Sequence, residues 1–154
     1  MSESILRTVY LFKEFSSVEI ETLQKLVKEK SYSPGQDIFI RGEPATSLFI
    51  IRFGSVKIYS TTRDGDEVQI STQGLGSHFG ELPLLDGQNR SATAQAIESC
   101  NLLEINYQDL KNILNNNNVL ESKFYKSLAN YLCARLRATT DDLNHAQETK
   151  LRHF

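Results

Sequence analysis

The chain is predicted to be an α+β fold, a β-rich middle with helices at both ends. Three observations carry this. Between about residues 31 and 105 the apolar residues come in short runs broken by glycine, proline and aspartate. Before and after that stretch they recur at steps of three and four, the period of a helix face. Asp64-Gly65 stands between two alternating segments, a hairpin signal because glycine accepts the positive φ of a tight turn. Several short strands at regular spacing predict a sandwich or a barrel.

The first section, Ile5 to Glu29, has a helical pattern. Ser16-Ser17 ahead of Glu19 and Glu21 reads as an N-cap with acids in the first turn. Ile20, Leu23, Leu26 and Val27 then repeat at helical spacing, and Leu11, Phe12 and Phe15 are expected to pack this segment against the rest. Strands are predicted at Asp37 to Ile40, Ser47 to Phe53, Ser55 to Thr61, Glu67 to Gln73, Ala92 to Ala96 and Asn101 to Ile105. A short helix is expected from Asn106 to Leu114, and the run Asn115 to Asn118 is read as a cap and turn. A long helix follows over about residues 119–146. Its stripe of Tyr125, Leu128, Leu132, Leu136, Thr139 and Leu143 is the pattern of a buried or partner-facing side.

Bulk properties exclude several classes. A chain of 154 residues with 40% hydrophobic and 23% charged residues suits one globular domain spanning residues 1–154. A formal net charge of −2 is not a nucleic-acid footprint. No apolar run approaches a membrane span, and the acidic N-terminus does not resemble a signal peptide. Two cysteines, Cys100 and Cys133, fall in separate elements, which points to reduced thiols and a cytoplasmic protein; Cys100 reads as a small core residue.

The most informative stretch runs from Phe79 to Thr93. Gly80 lets the backbone approach a ligand because it has no Cβ. The amides from Gly80 to Leu82 open a short turn and can face an anion. Arg90 supplies a planar fork that matches phosphate oxygens. Glu81 makes no sense on a phosphate, but it can accept from a sugar hydroxyl. A second reading stays open, in which Glu81 and Arg90 form a salt bridge that staples a loop.

FGELPLLDGQNRSATAQA resembles the phosphate-binding cassette of cyclic nucleotide-binding domains, in the catabolite activator-type branch of cyclic AMP receptors. The resemblance implies an eight-stranded jelly-roll β-barrel with flanking N-terminal and C-terminal helices. It implies that Phe79, Gly80, Glu81, Leu82, Arg90, Ser91 and Ala92 contact a ligand, with Glu81 on the ribose 2′-hydroxyl and Arg90 and Ser91 on the cyclic phosphate. Ala134 to Leu143 is similar to the dimerisation helix of the same branch. Carried over by position, Thr139 faces the base in its own subunit and Thr140 the base bound by a partner. Pro83 departs from the alanine or glycine common in the family, and its missing N–H predicts altered affinity.

The histidines His78, His145 and His153 have no metal-like spacing, and His78 is expected to pack on Phe79 as a loop residue. No nucleophile elbow, Walker loop or dinucleotide fingerprint is present. About nine residues follow His145, too few for two helices and a turn. The resulting expectation is a stand-alone sensor for cyclic AMP, with cyclic GMP as the other ligand, no further cofactor, no metal and no enzymatic activity. It is expected to form a homodimer through the long helix and to signal to an unidentified downstream protein, without direct DNA binding. The alternative is a ligand-free interaction module on the same fold.

Overall fold

The computed structural model describes residues 2–152. The chain opens with α1 (Ser2–Thr8), a 3-10 turn at Tyr10–Phe12 and α2 (Ser17–Gln24). Strands β1 (Lys28–Tyr32), β2 (Asp37–Phe39), β3 (Ser47–Phe53), β4 (Val56–Thr61), β5 (Glu67–Gln73) and β6 (His78–Phe79) follow. The short helix α3 (Leu82–Asp86) separates them from β7 (Thr93–Ala96) and β8 (Cys100–Asn106). Helices α4 (Tyr107–Asn115) and α5 (Asn118–Arg152) complete the described chain.

Local chemistry explains most boundaries. Ser16 caps α2 reciprocally with Glu19: its hydroxyl accepts from the Glu19 amide at 3.3 Å, and the Glu19 carboxylate accepts from the Ser16 amide at 3.3 Å. Asn106 caps α4 by accepting from the Gln108 and Asp109 amides. Asn117 accepts from Leu120, so the asparagine run is the expected cap and turn. Gly65, at φ +88°, closes the β4–β5 hairpin.

The predicted N-terminal helical section needs correction. It breaks into two helices and a 3-10 turn, ends at Gln24, and gives way to β1 at Lys28. Strand β1 reads Lys-Glu-Lys-Ser-Tyr and is largely exposed, so its sequence carries no apolar signal. It is an edge strand held by pairing to β8, and lysines suit an edge because they discourage further strand addition. The two-residue β6 escaped notice for its length. Helix α5 runs six residues past the expected end at Ala146, to Arg152. Cys100 begins β8 and is buried as expected.

The eight strands form two antiparallel sheets, ordered β1-β8-β3-β6 and β2-β7-β4-β5. They are not closed into a barrel, so the jelly-roll barrel expectation goes too far. Strand β3 shows how the layers stack. Leu48 and Ile50 point to a core shared with the helices, where Leu6, Phe12, Phe15, Leu110 and Phe124 gather. Phe49 and Ile51 point the other way, to a core between the sheets with Val56, Phe79, Ala94 and Leu102. Burial on both faces explains why Ser47–Phe53 lacks polar alternation.

The long-helix stripe divides. Leu128 is fully buried and Leu132 partly so, but from Leu136 to Arg152 every residue is exposed, Leu136 at 67% and Leu143 at 57%.

Gly54 turns β3 into β4 at φ +94°, and a Cβ there would sit 2.5 Å from the Ser99 carbonyl oxygen. Gly42, at φ +89°, has open space around it. Gly54→Ala is therefore expected to cost clearly more stability than Gly42→Ala, by about 2 kcal/mol or more, in urea unfolding. Equal losses would refute the steric account.

Candidate ligand-binding site

A cavity of about 190 Å³ opens between the β2-β7-β4-β5 sheet, the cassette and α5. Phe79, Gly80, Glu81, Leu82, Arg90, Ser91 and Ala92 all line it, and Thr139 reaches it from α5. Eight of the nine residues named from the sequence therefore meet at one place. Thr140 does not. It lies on an exposed face beside Cys133, Arg137 and Asp141, with its hydroxyl donating to the Leu136 carbonyl at 2.9 Å.

The cassette is built around Gly80. Its φ of +81° is a glycine conformation, and a Cβ would lie 2.9 Å from Arg90 Nη1 and 3.3 Å from Phe39 Cε2. That absence lets the guanidinium lie against the chain. Pro83 occupies the first turn of α3, where a missing N–H is tolerated, and Gly87 ends the helix in the left-handed region with its amide donating to the Pro83 carbonyl at 3.0 Å.

Arg90 is only 6% exposed. Nη2 donates to the Ser47 carbonyl at 2.7 Å, and Nη1 donates to the Gly80 carbonyl and the Tyr107 hydroxyl at 3.1 Å each. The Tyr107 hydroxyl in turn donates to the Gly80 carbonyl. The guanidinium carbon stands 4.0 Å from the centre of the Phe39 ring. No carboxylate pairs with Arg90 among the described residues, so the salt bridge to Glu81 left open by the sequence does not form. Nε is buried without a hydrogen-bond partner. Burial pushes the Arg90 pKa down, opposed chiefly by Tyr107, yet an arginine stays charged. Burial also pushes the Tyr107 phenol up to about 12, which keeps it protonated as a donor.

Glu81 is 5% exposed, and its Oε2 lies 3.5 Å from His78 Nδ1. His78 is a buried strand residue, not a loop residue, and its ring packs at a tilt of 51° against Tyr131 of α5, centroids 4.3 Å apart, rather than on Phe79. Alternation along β6 sends Phe79 into the core between the sheets. His153 lies outside the described residues.

Sequence reasoning missed Phe39, Tyr107, Tyr131 and Arg135. Arg135 donates to the Tyr131 hydroxyl at 3.0 Å, and both line the cavity. Burial, then the nearby Glu81 charge, push the Tyr131 phenol pKa up. Tyr131, Arg135 and Thr139 are spaced by four, so the helical period applied backwards from Thr139 would have found the other two. No local signal marks Phe39 or Tyr107. They meet Arg90 from distant parts of the chain.

Comparison with known proteins agrees with this geometry. The cyclic AMP receptor protein of Thermus thermophilus is 31% identical over 99 residues, covering 64% of this chain and 46% of that protein. The crystal structure of the Thermus thermophilus catabolite activator protein superposes with a TM-score of 0.76 at 28% identity, covering 88% of this chain and 62% of that one. The regulatory domain of Toxoplasma gondii PKA, solved with cAMP, gives a TM-score of 0.68 at 28% identity over 72% of this chain and 42% of that one. The chain thus spans under half the length of the receptor it matches in sequence. Residues 29–117, more than half of the chain and including the whole cassette, match the cyclic nucleotide-binding domain, and the chain belongs to that family.

Proposed function

We propose that this chain is a sensor domain that binds cyclic AMP in the cassette cavity and signals through α5. The observation that carries the reading is Arg90: a buried, uncompensated guanidinium beside a cavity, with Nε still unpartnered. A fixed positive charge satisfied by carbonyl dipoles rather than by an acid leaves a net attraction for an anion. A cyclic phosphate is the anion whose oxygens match the guanidinium fork. Glu81 then accepts from the ribose hydroxyl, and the apolar wall of Ile58, Leu132 and Leu136 receives the base beside Thr139. The similar PKA regulatory domain of Toxoplasma gondii was crystallised with cAMP, which adds support for the same ligand here.

In this reading ligand and helix are coupled because the cavity is walled by both cassette and α5. A ligand that binds one helix position more tightly than another shifts the population toward it. The exposed leucines beyond Arg135 offer a face to a second copy of the chain, with Thr140 directed to that copy, and to a downstream protein. The chain acts by binding, without catalysis or DNA contact of its own. A cytoplasmic setting fits its two unpaired thiols.

Calorimetric titration with cyclic AMP and cyclic GMP tests the ligand. Absence of binding to both would favour a scaffold that works without ligand. Arg90→Ala should cost about 2–5 kcal/mol of binding, and Arg90→Lys should restore only part, since the fork is lost. Unchanged affinity in Arg90→Ala would remove the phosphate from this site. Cyclic AMP should bind at least a few-fold more tightly than cyclic GMP, at about 0.5–1.5 kcal/mol per hydroxyl contact. A Thr139→Val, Thr140→Val double variant that keeps the full preference would place base selection elsewhere. Light scattering should give a dimer mass at micromolar concentration, and a monomer with and without ligand would refute pairing through α5.

A further inference from the structure

Packing explains the ring of Tyr107 but not its hydroxyl. The residue is buried, in the core that also holds Leu84, Ile105 and Leu110. A phenylalanine would serve that core equally well, and a phenol taken out of water is costly unless its hydroxyl is bonded. Here the hydroxyl is bonded twice, both times to the cassette. It accepts from Arg90 Nη1 at 3.1 Å and donates to the Gly80 carbonyl. Yet Tyr107 is not among the residues that line the cavity, so whatever it does for a ligand it does through these two groups.

A guanidinium has five N–H groups. Arg90 Nη1 commits both of its own, to Gly80 and Tyr107, and Nη2 commits one to Ser47. The two left over are on Nε and Nη2, neighbouring nitrogens that can meet two oxygens of one phosphate. Of the three acceptors that fix the plane of the group, two are backbone carbonyls, and Tyr107 is the side chain among them. Tyr107 is itself anchored. It opens α4, and its amide donates at 2.8 Å to the carbonyl of Thr46, the residue before Ser47. The same hydroxyl bears on Glu81. The Gly80 carbonyl takes two donors, Arg90 Nη1 and the phenol, and the peptide joining it to Glu81 is trans and planar. Holding that carbonyl fixes the plane from which Glu81 leaves.

We propose that Tyr107 is a positioning residue of the cyclic nucleotide site: its hydroxyl aims the free edge of Arg90 at the phosphate and holds the Gly80–Glu81 peptide so that Glu81 meets the ribose. This rests on the ligand reading above. A long side chain that must be immobilised on binding takes its lost freedom out of the affinity, and one already fixed does not. Without the phenol, Nη1 loses an acceptor that no water easily replaces in a buried place, and the guanidinium is free to turn its committed edge away from Gly80. The Gly80 carbonyl loses a donor at the same time. Both contacts to the ligand, the cation on the phosphate and the acid on the sugar, therefore depend on one hydroxyl that touches neither phosphate nor sugar.

The test is calorimetry of the whole chain with cyclic AMP and with its 2′-deoxy analogue, comparing the unaltered protein with Tyr107→Phe, which keeps the ring. Tyr107→Phe should weaken cyclic AMP binding about 5–20-fold, the effect of losing one hydrogen bond to a charged group. It should also narrow the preference for cyclic AMP over the 2′-deoxy analogue. In an Arg90→Lys background, where the fork is already gone, the same change should weaken binding by less than about 3-fold, because only the Gly80 contact is left to lose. A merely structural hydroxyl would lower the melting temperature and leave affinity and preference where they were. Unchanged affinity or unchanged preference in Tyr107→Phe, or an equal loss in both backgrounds, overturns the proposal while leaving the ligand reading intact. Should the variant fail to fold, NMR of the Arg90 guanidinium in the unaltered, ligand-free protein decides. A side chain held at both Nη atoms gives separate Nη proton signals, and a single averaged signal overturns the proposal. No binding of cyclic AMP to the unaltered chain overturns both.

Discussion

A guanidinium that cannot lose its proton has been taken out of water at Arg90, and the structure around the cavity is arranged to satisfy it. The desolvation penalty for such a group is several kcal/mol unless hydrogen bonds replace its water. The replacements come from three places: the Ser47 carbonyl at the start of β3, the Gly80 carbonyl at the start of the cassette, and the Tyr107 hydroxyl at the start of α4. The backbone of the same residue is pinned too, its amide donating to the Glu43 carbonyl and its carbonyl accepting from the Gly42 amide, both at 2.8 Å. One side chain and its backbone thereby bring four separate segments to a point. None of these acceptors is a full negative charge, so the positive field toward the cavity survives.

The cassette is also wedged between two hydrophobic cores. Phe79 belongs to the core between the sheets, while Leu84 of α3 belongs to the core shared by α1, α2, α4 and α5. The short link between them includes Gly80 and Glu81. A ligand that moves α3 must therefore disturb Leu84, which shares its core with Phe124 and Leu128 on α5. His78 packed against Tyr131 makes a second tie between the cassette region and the same helix. Close packing does not deform continuously, so two ties of this kind favour discrete helix positions over gradual bending.

What was legible in advance follows from locality. The cassette could be read because its glycine, acid and arginine lie within eleven residues of one another, and their spacing survives folding as a single turn and helix. Strands β3, β4, β5, β7 and β8 announced themselves by short apolar runs, and the Ser16 cap by a side chain that bonds an amide three residues away. Strand β1 was invisible because its charged residues form a strand only through pairing to β8 at an edge. Phe39 and Tyr107 were invisible as site residues because nothing near them in the chain mentions Arg90.

The hairpin at Gly65, the turns that need glycine and the grouping of Gly80, Glu81 and Arg90 in one cassette follow from the chain read on its own, because backbone sterics and short-range hydrogen bonds act over a few residues. How those residues pair was settled only by packing. Glu81 faces His78 rather than Arg90, and Arg90 is satisfied by carbonyls and a phenol, because the partner of a buried charge is whatever distant group folding brings within reach. Packing also set where the stripe of α5 stops being core. The same helical period continues from Leu128 through Leu136 and Leu143, but the rest of the fold ends beside Arg135, and burial is a property of what lies opposite.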